Sequence, residues 1–306
     1  MLETPAPWLP RALIGAVAVV FLGGVIGAAT VNGGDKHPSK LAATGSTTTT
    51  SVAKATTSTT AASTTTTTKA AVSTGGTTAG AGGASGNLGA PGDPGQPVKA
   101  KAGTYRYHVS TKSSQGDNEE DAPLKVEDLA AGPNGPRQRH TLTTKQGDQV
   151  DEMSWRSGGV YLDRETFNIA GTATDCDWNP DILTLAEPVA VGRAWTSKSH
   201  CSATAHTRDY GDFPLDLNIT LTGKVSGTER VQVGTDLVDV WVVTGTIDIK
   251  GTSSGSEVLN EKGTYISKFA PKAGLEVARH DDLQITSPQG NDHAVSDRRL
   301  LSLQPS

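Results

Sequence analysis

The stretch LDLNITLTGKV places Leu215, Leu217, Ile219, Leu221 and Val225 on one parity and Asp216, Asn218, Thr220, Thr222 and Lys224 on the other. In an extended chain successive side chains point to opposite faces, so this stretch is a strand with one apolar and one wet side. Such a strand belongs in an antiparallel sheet that buries a single face, because strands of a parallel sheet are apolar on both. Tyr105, Tyr107 and Val109 repeat the pattern, as do Leu275, Val277, Leu283 and Ile285. In DVWVVTGTIDI the apolar parity changes from Val238, Val240 and Val242 to Ile247 and Ile249, which predicts a bulge or bend near Gly245.

RQRHTLTT, QVDEMSWR, GVYLD, RAWTSKSH, ATAHTRDY, EKGTYISKF and DRRLLSL read as further strands, with turn chemistry such as AGPNGP and SGGV between several of them. No stretch from Val98 to Ser306 keeps an amphipathic helical period over three turns. The fold class expected for 98–306 is therefore all-β: a single curved antiparallel sheet (a half-barrel) or a two-layer β domain.

The chain before this domain has a different character. From Ala12 to Gly34 there are 23 residues without a formal charge, the first 20 almost wholly apolar. A helix of that length spans about 30 Å, the thickness of a bilayer's hydrocarbon core. Residues 1–11 then form a short cytoplasmic head and 12–34 a transmembrane signal anchor. A cleavable signal peptide is the rival reading, with Arg11 as its basic flank and Gly27 and Ala29 at small positions, but signal-peptide apolar regions are typically only about 7–15 residues long. Flanking charge leaves orientation nearly balanced, with Arg11 on one side and Lys36 and Lys40 on the other.

Residues 35–97 read as a disordered stalk. Between Thr44 and Thr78, 17 of 35 residues are Thr and 5 are Ser, with no aromatic and only Val52 and Val72 as branched aliphatics. Such a segment cannot bury enough apolar surface to offset the entropy of ordering it. The tract then passes into Gly- and Pro-rich sequence that ends near Pro97. Its composition is also that of O-glycosylated stalks.

The 98–306 domain carries 22 Lys and Arg against 29 Asp and Glu. An excess of seven negative charges disfavours nucleic acid as a partner. Cys176 and Cys201 are the only cysteines. An even count beyond an apparent membrane anchor points to a disulfide, hence to an oxidising, extracytoplasmic location for the bulk of the chain. His200 and His206 lie on the opposite parity from Cys201, which argues against a zinc site there.

The sharpest local pattern is DCDWNPD, which sets Asp175, Asp177, Asn179 and Asp181 at alternate positions, the spacing of oxygen ligands in a calcium loop. Pro180 stands where such a loop needs Gly and Ala186 where it needs a bidentate Glu, so an acidic turn is the competing reading. No H-E-x-x-H or S-x-x-K spacing occurs in the domain. His280 and Asp282 would share one strand face, and Trp155, Trp178, Trp195 and Trp241 are candidates for a groove or for core. No catalytic residue and no cofactor emerge, and the chain is not expected to be an enzyme.

GTYRYHV at 103–109, PVAVGRAW at 188–195, GTERVQV with VWVVTGTIDIKG within 227–251, and GTYISKFAPKAGLEVARH at 263–280 together resemble secreted β-proteins of the LolA and LppX type. That resemblance implies a wide antiparallel sheet curved around an apolar cavity, and a lipid or other envelope component as partner. The expected function is a cell-envelope protein, held in the membrane by its N-terminal helix, whose β domain binds an apolar ligand. A module that projects a β-sandwich toward a protein or the cell wall, or a hydrolase without a recognised motif, are the alternatives.

Overall fold

A computed structural model describes residues 90–306 except 115, 170, 171, 208–210 and 289. The expected cytoplasmic head, membrane helix and stalk up to residue 89 lie outside the described residues. Among the described residues twelve strands follow one another: β1 (Gly103–Ser113), β2 (Gly116–Gly132), β3 (Gly135–Thr144), β4 (Gly147–Arg156), β5 (Gly159–Ile169), β6 (Thr172–Ala186), β7 (Ala194–Thr207), β8 (Gly211–Val233), β9 (Asp236–Ser253), β10 (Ser256–Ala270), β11 (Leu275–Ser287) and β12 (Gly290–Leu300).

Each strand pairs antiparallel with the next, and β1 pairs with β12 from Tyr107–Leu300 to Lys112–Val295. The expectation of an antiparallel all-β domain holds. The half-barrel and two-layer alternatives give way to a closed up-and-down barrel, which removes both sheet edges. Alternation along a strand says which face is buried, but not that the first strand meets the last.

Leu215, Leu217, Ile219 and Leu221 point inward as read from sequence and pack with Ile247, Ile249, Leu259, Leu283 and Ile285 in one continuous core. Outward positions carry cross-strand ion pairs such as Arg164–Asp175, His280–Asp297 and Lys262–Asp248, so the outer wall is wetted. The parity change in β9 has a cause other than the expected bend at Gly245. Trp241 and Val243 face the core, while Val240 on the opposite parity is covered by a second apolar cluster with Val233, Leu275 and Leu300. The register shift lies instead on the partner strand, between Val225 and Gly227 of β8.

That second cluster takes in Ala100 from the segment before β1, and Leu303 from the chain after β12 packs against it. The β8–β9 hairpin turn comes close to the chain after β12: a Cβ on Gly234 would stand 3.0 Å from the Leu301 carbonyl oxygen. The segment entering β1 lies along the same end of the barrel. Trp241 Nε1 donates to the Gly95 carbonyl at 2.8 Å, Gln96 exchanges two hydrogen bonds with the Val189 backbone, and Gln138 does the same with the Ala100 backbone. Residues 90–97, read from sequence as the last part of the stalk, thus include a strap held against the barrel.

One ladder is sparse. β6 and β7 register only at Thr172–Thr207, Ala173–His206 and Asn179–His200. Side chains of β7 take over the missing backbone bonds: Ser197 Oγ accepts from the Leu183 amide at 2.9 Å, Ser199 Oγ donates to the Pro180 carbonyl, and Trp195 Nε1 donates to the Leu183 carbonyl at 3.2 Å. The Cys176–Cys201 disulfide spans this same seam, with Cα atoms 5.6 Å apart.

A candidate ligand cavity inside the barrel

The barrel interior is not filled throughout. A cavity of about 160 Å³ lies between β1–β6 on one side and β8–β12 on the other. Leu124, Leu142, Met153, Val160, Leu162 and Leu185 supply apolar wall from the first group, and Leu221, Val243, Phe269 and Leu275 from the second. Trp155, Val160, Leu185 and Gly274 lie near the end of the barrel where the strap runs.

The wall built by β11 and β12 is charged. Glu276 accepts from Ser267 Oγ at 2.6 Å and pairs with Arg298 and, at 3.5 Å, with Arg279. Asp281 holds the other edge of Arg279, with both carboxylate oxygens 2.9 Å from Nε. Each guanidinium also covers a ring, Arg279 over Tyr265 at 4.8 Å and Arg298 over Tyr107 at 5.6 Å. Two cations and two carboxylates therefore form a closed, mutually neutralised set beside the cavity. Burial pushes the Glu276 carboxyl up, but Arg298 and Arg279 outweigh it and hold the group below the usual range.

The opposite wall is polar but less charged. Gln149 Nε2 donates to Asp151 Oδ1 at 3.1 Å and to Glu165 Oε1 at 3.0 Å. Burial raises Asp151 to about 6, against the opposing pull of Gln149, Arg298 and Arg279. Burial, aided by the charge of Arg298, lowers His140 to about 4 and leaves it a neutral imidazole at pH 7. Four side-chain atoms of lining residues are shielded from solvent and have no hydrogen-bond partner within the protein: Gln149 Oε1, Trp155 Nε1, Arg298 Nε and Arg279 Nη2, the last of these 2.8 Å from Asp281 Oδ1 in an ion pair.

The residues singled out in the sequence fall elsewhere, with one exception. Cys176 and Cys201 are disulfide-bonded, as expected. Asp175, Asp177 and Asn179 lie on the outer face of an extended strand rather than around a loop. Asp175 is engaged by Arg164 and Asp181 by Arg156, so the calcium-like spacing does not converge. Among the described residues no group of three or more His, Cys, Asp or Glu side chains is placed to hold a metal ion. His280 and Asp282 do share a face, each paired across to β12, with Asp297 and His293 respectively.

A G-x-S-x-G spacing at Gly251–Gly255 sits in the β9–β10 hairpin, not in the strand-to-helix turn that presents a nucleophile. Of the tryptophans, Trp178 and Trp195 are core, Trp241 carries the strap, and Trp155 alone lines the cavity.

No protein-family model matches the chain, and no curated protein matches it. Among solved structures it is similar to the crystal structure of the hypothetical lipoprotein YmcC from Escherichia coli. The sequence identity is 11%, the match covers 68% of this chain and 92% of that chain, and the TM-score is 0.30. The functional reading rests on the cavity.

Proposed function

We propose that this chain is a membrane-anchored cell-envelope protein whose extracytoplasmic barrel binds a small, largely apolar ligand and performs no chemistry on it. The cavity carries this reading: apolar side chains from nine strands line it, and one side holds fixed charges that neutralise each other. The apolar run 12–34 and the disulfide support the location, since such bonds persist outside the reducing cytosol.

Volume limits the ligand. Small-molecule sites commonly enclose about 300–1,000 Å³, and an apolar cavity of about 150 Å³ holds benzene. At about 160 Å³ this cavity takes a single small ring or a short length of one alkyl chain, not a two-chain lipid. The same figure favours a second reading, in which a nearly solid barrel projects a surface toward a protein or cell-wall partner.

Saturation-transfer NMR on the full chain in lipid nanodiscs, with toluene as the probe, separates the two. Binding predicts transfer to toluene that is lost in Leu162→Trp, where an indole fills the cavity. Equal transfer in both proteins leaves the solid-barrel reading standing.

A further inference from the structure

We infer that the cavity takes a small organic cation, an ammonium group on a single ring or a short alkyl body, with Asp151 as its counter-ion. This rests on the ligand-binding reading above and adds the charge of the ligand to it.

Apart from His140, the lining holds four residues with ionisable charge: Asp151, Glu276, Arg279 and Arg298. Three of them are already engaged, Arg298 with Glu276 and Arg279 with Glu276 at 3.5 Å and with Asp281 at 2.8 Å. Asp151 belongs to no ion pair among the described residues. The side chain bonded to it is the neutral amide of Gln149, whose Nε2 lies 3.1 Å from Oδ1 and 3.4 Å from Oδ2.

Asp151 shares the inward parity of β4 with Gln149, Met153 and Trp155, all of which line the cavity. It is only half-buried although it stands inside the barrel wall, so the surface it keeps opens on the interior. Register places His140 of β3 on one side of it and Glu165 of β5 on the other, and neither supplies a positive charge. His140 turns Nε2 toward Gln138 Oε1 at 3.5 Å and makes no ion pair with Asp151, in keeping with an imidazole that burial and Arg298 hold neutral. Leu142 and Met153, the next inward residues on their strands, flank the His140–Asp151 pair with apolar wall for the body of the ligand.

A poorly solvated carboxylate is stabilised by a counter-ion in contact with it. Arg279 and Arg298 oppose an incoming cation, but each lies against a carboxylate and acts across the cavity as one end of a dipole, whereas Asp151 in contact acts as a full charge. An anion meets the reverse arrangement, with both arginines occupied and Asp151 repelling it. An uncharged ligand displaces water from Asp151 and returns no charge to it.

Four probes of nearly one shape separate these cases: benzylammonium, benzyl alcohol, toluene and benzoate, titrated by NMR against the full chain in phosphatidylcholine nanodiscs at pH 8, with empty nanodiscs as the reference. Benzylammonium should bind at least about tenfold tighter than each of the other three. Asp151→Asn, which keeps the shape and removes the charge, should erase that advantage and leave toluene within about twofold of its wild-type affinity.

Benzyl alcohol, toluene or benzoate binding as tightly as benzylammonium overturns the cation inference and leaves the cavity reading intact. An Asp151→Asn protein with native circular dichroism and undiminished affinity for benzylammonium does the same. If that variant does not fold, the wild-type ranking of the four probes decides alone. Failure of all four to bind the wild-type protein overturns both readings.

Discussion

The hydroxyl of Ser197 accepts a hydrogen bond from the backbone amide of Leu183 at 2.9 Å, a bond that in a regular ladder a carbonyl of the neighbouring strand would accept. With Ser199 and Trp195 it stitches β7 to β6 where the two strands register at only three positions. A closed barrel is limited by its poorest ladder, because opening one seam creates two edges at once. The disulfide stands at that seam, and its loop closure adds stability mainly by restricting the unfolded chain.

Cys176→Ala with Cys201→Ala should cost about 2–5 kcal/mol, and Ser197→Ala alone about 1 kcal/mol or somewhat more, since it leaves a half-buried amide unpaired. Hydrogen exchange on the reduced protein should lose protection first in β6 and β7. Uniform loss across all strands would show that the seam is no weaker than the rest.

Gly245 is required by a ring, not by a turn. Tyr265 reaches across it to donate its hydroxyl to the Thr222 carbonyl at 3.0 Å, and a Cβ on residue 245 would stand 2.5 Å from the ring and 2.0 Å from that same carbonyl oxygen. Gly245→Ala should therefore cost about 3 kcal/mol, at the upper end of overpacking effects. Tyr265→Phe, which keeps the ring and loses the hydrogen bond, should cost about 1 kcal/mol. Urea midpoints of the two variants check the order.

These details mark the boundary of what alternation reveals. The inward set of β8 could be read directly, because Leu215 to Leu221 are all apolar. In β11 the same parity runs Leu275, Val277, Arg279, Asp281, Leu283 and Ile285, and its two charged members are buried with the rest. A charged residue on an apolar parity is the signal of a buried charge inside the barrel, and Glu261 between Leu259 and Tyr265 repeats it. The wall on β4 carries no such signal. Gln149 and Asp151 precede Met153 and Trp155 on one parity, so its inward face begins polar and imitates a solvated one. Closure through β1 and β12 had no local signal at all, since pairing partners far apart in sequence are chosen by the whole sheet.

Glu276 is the hinge of the charged set, shared by Arg298, Arg279 and Ser267. Glu276→Gln removes the one carboxylate that both arginines use and leaves part of their charge uncompensated. The expected loss at pH 7 is about 3–5 kcal/mol, the usual range for breaking one partner out of a buried pair. Its folded-state pKa is depressed, so the wild-type advantage is present above the ordinary glutamate range and disappears as the pH falls through the lower folded value. Denaturant titrations of both proteins at pH 7 and in acid should converge on acidification.

Glu261 gives the opposite pH dependence. It is fully buried on β10, registered with Ile249 on one side and Ile285 on the other, and neither carboxylate oxygen has a hydrogen-bond partner. Burial, with the charge of Asp281 adding to it, raises its pKa from 4.5 to about 8. Between those two values the folded state binds a proton that the unfolded state has released. Stability from this group therefore falls as pH rises through that window and levels off above it. The total loss is on the order of a few kcal/mol. Glu261→Leu has no proton to release, so its stability relative to wild type should climb from pH 5 to pH 9. Parallel curves for the two proteins over that range would mean that the carboxyl is ionised and solvated in the folded barrel.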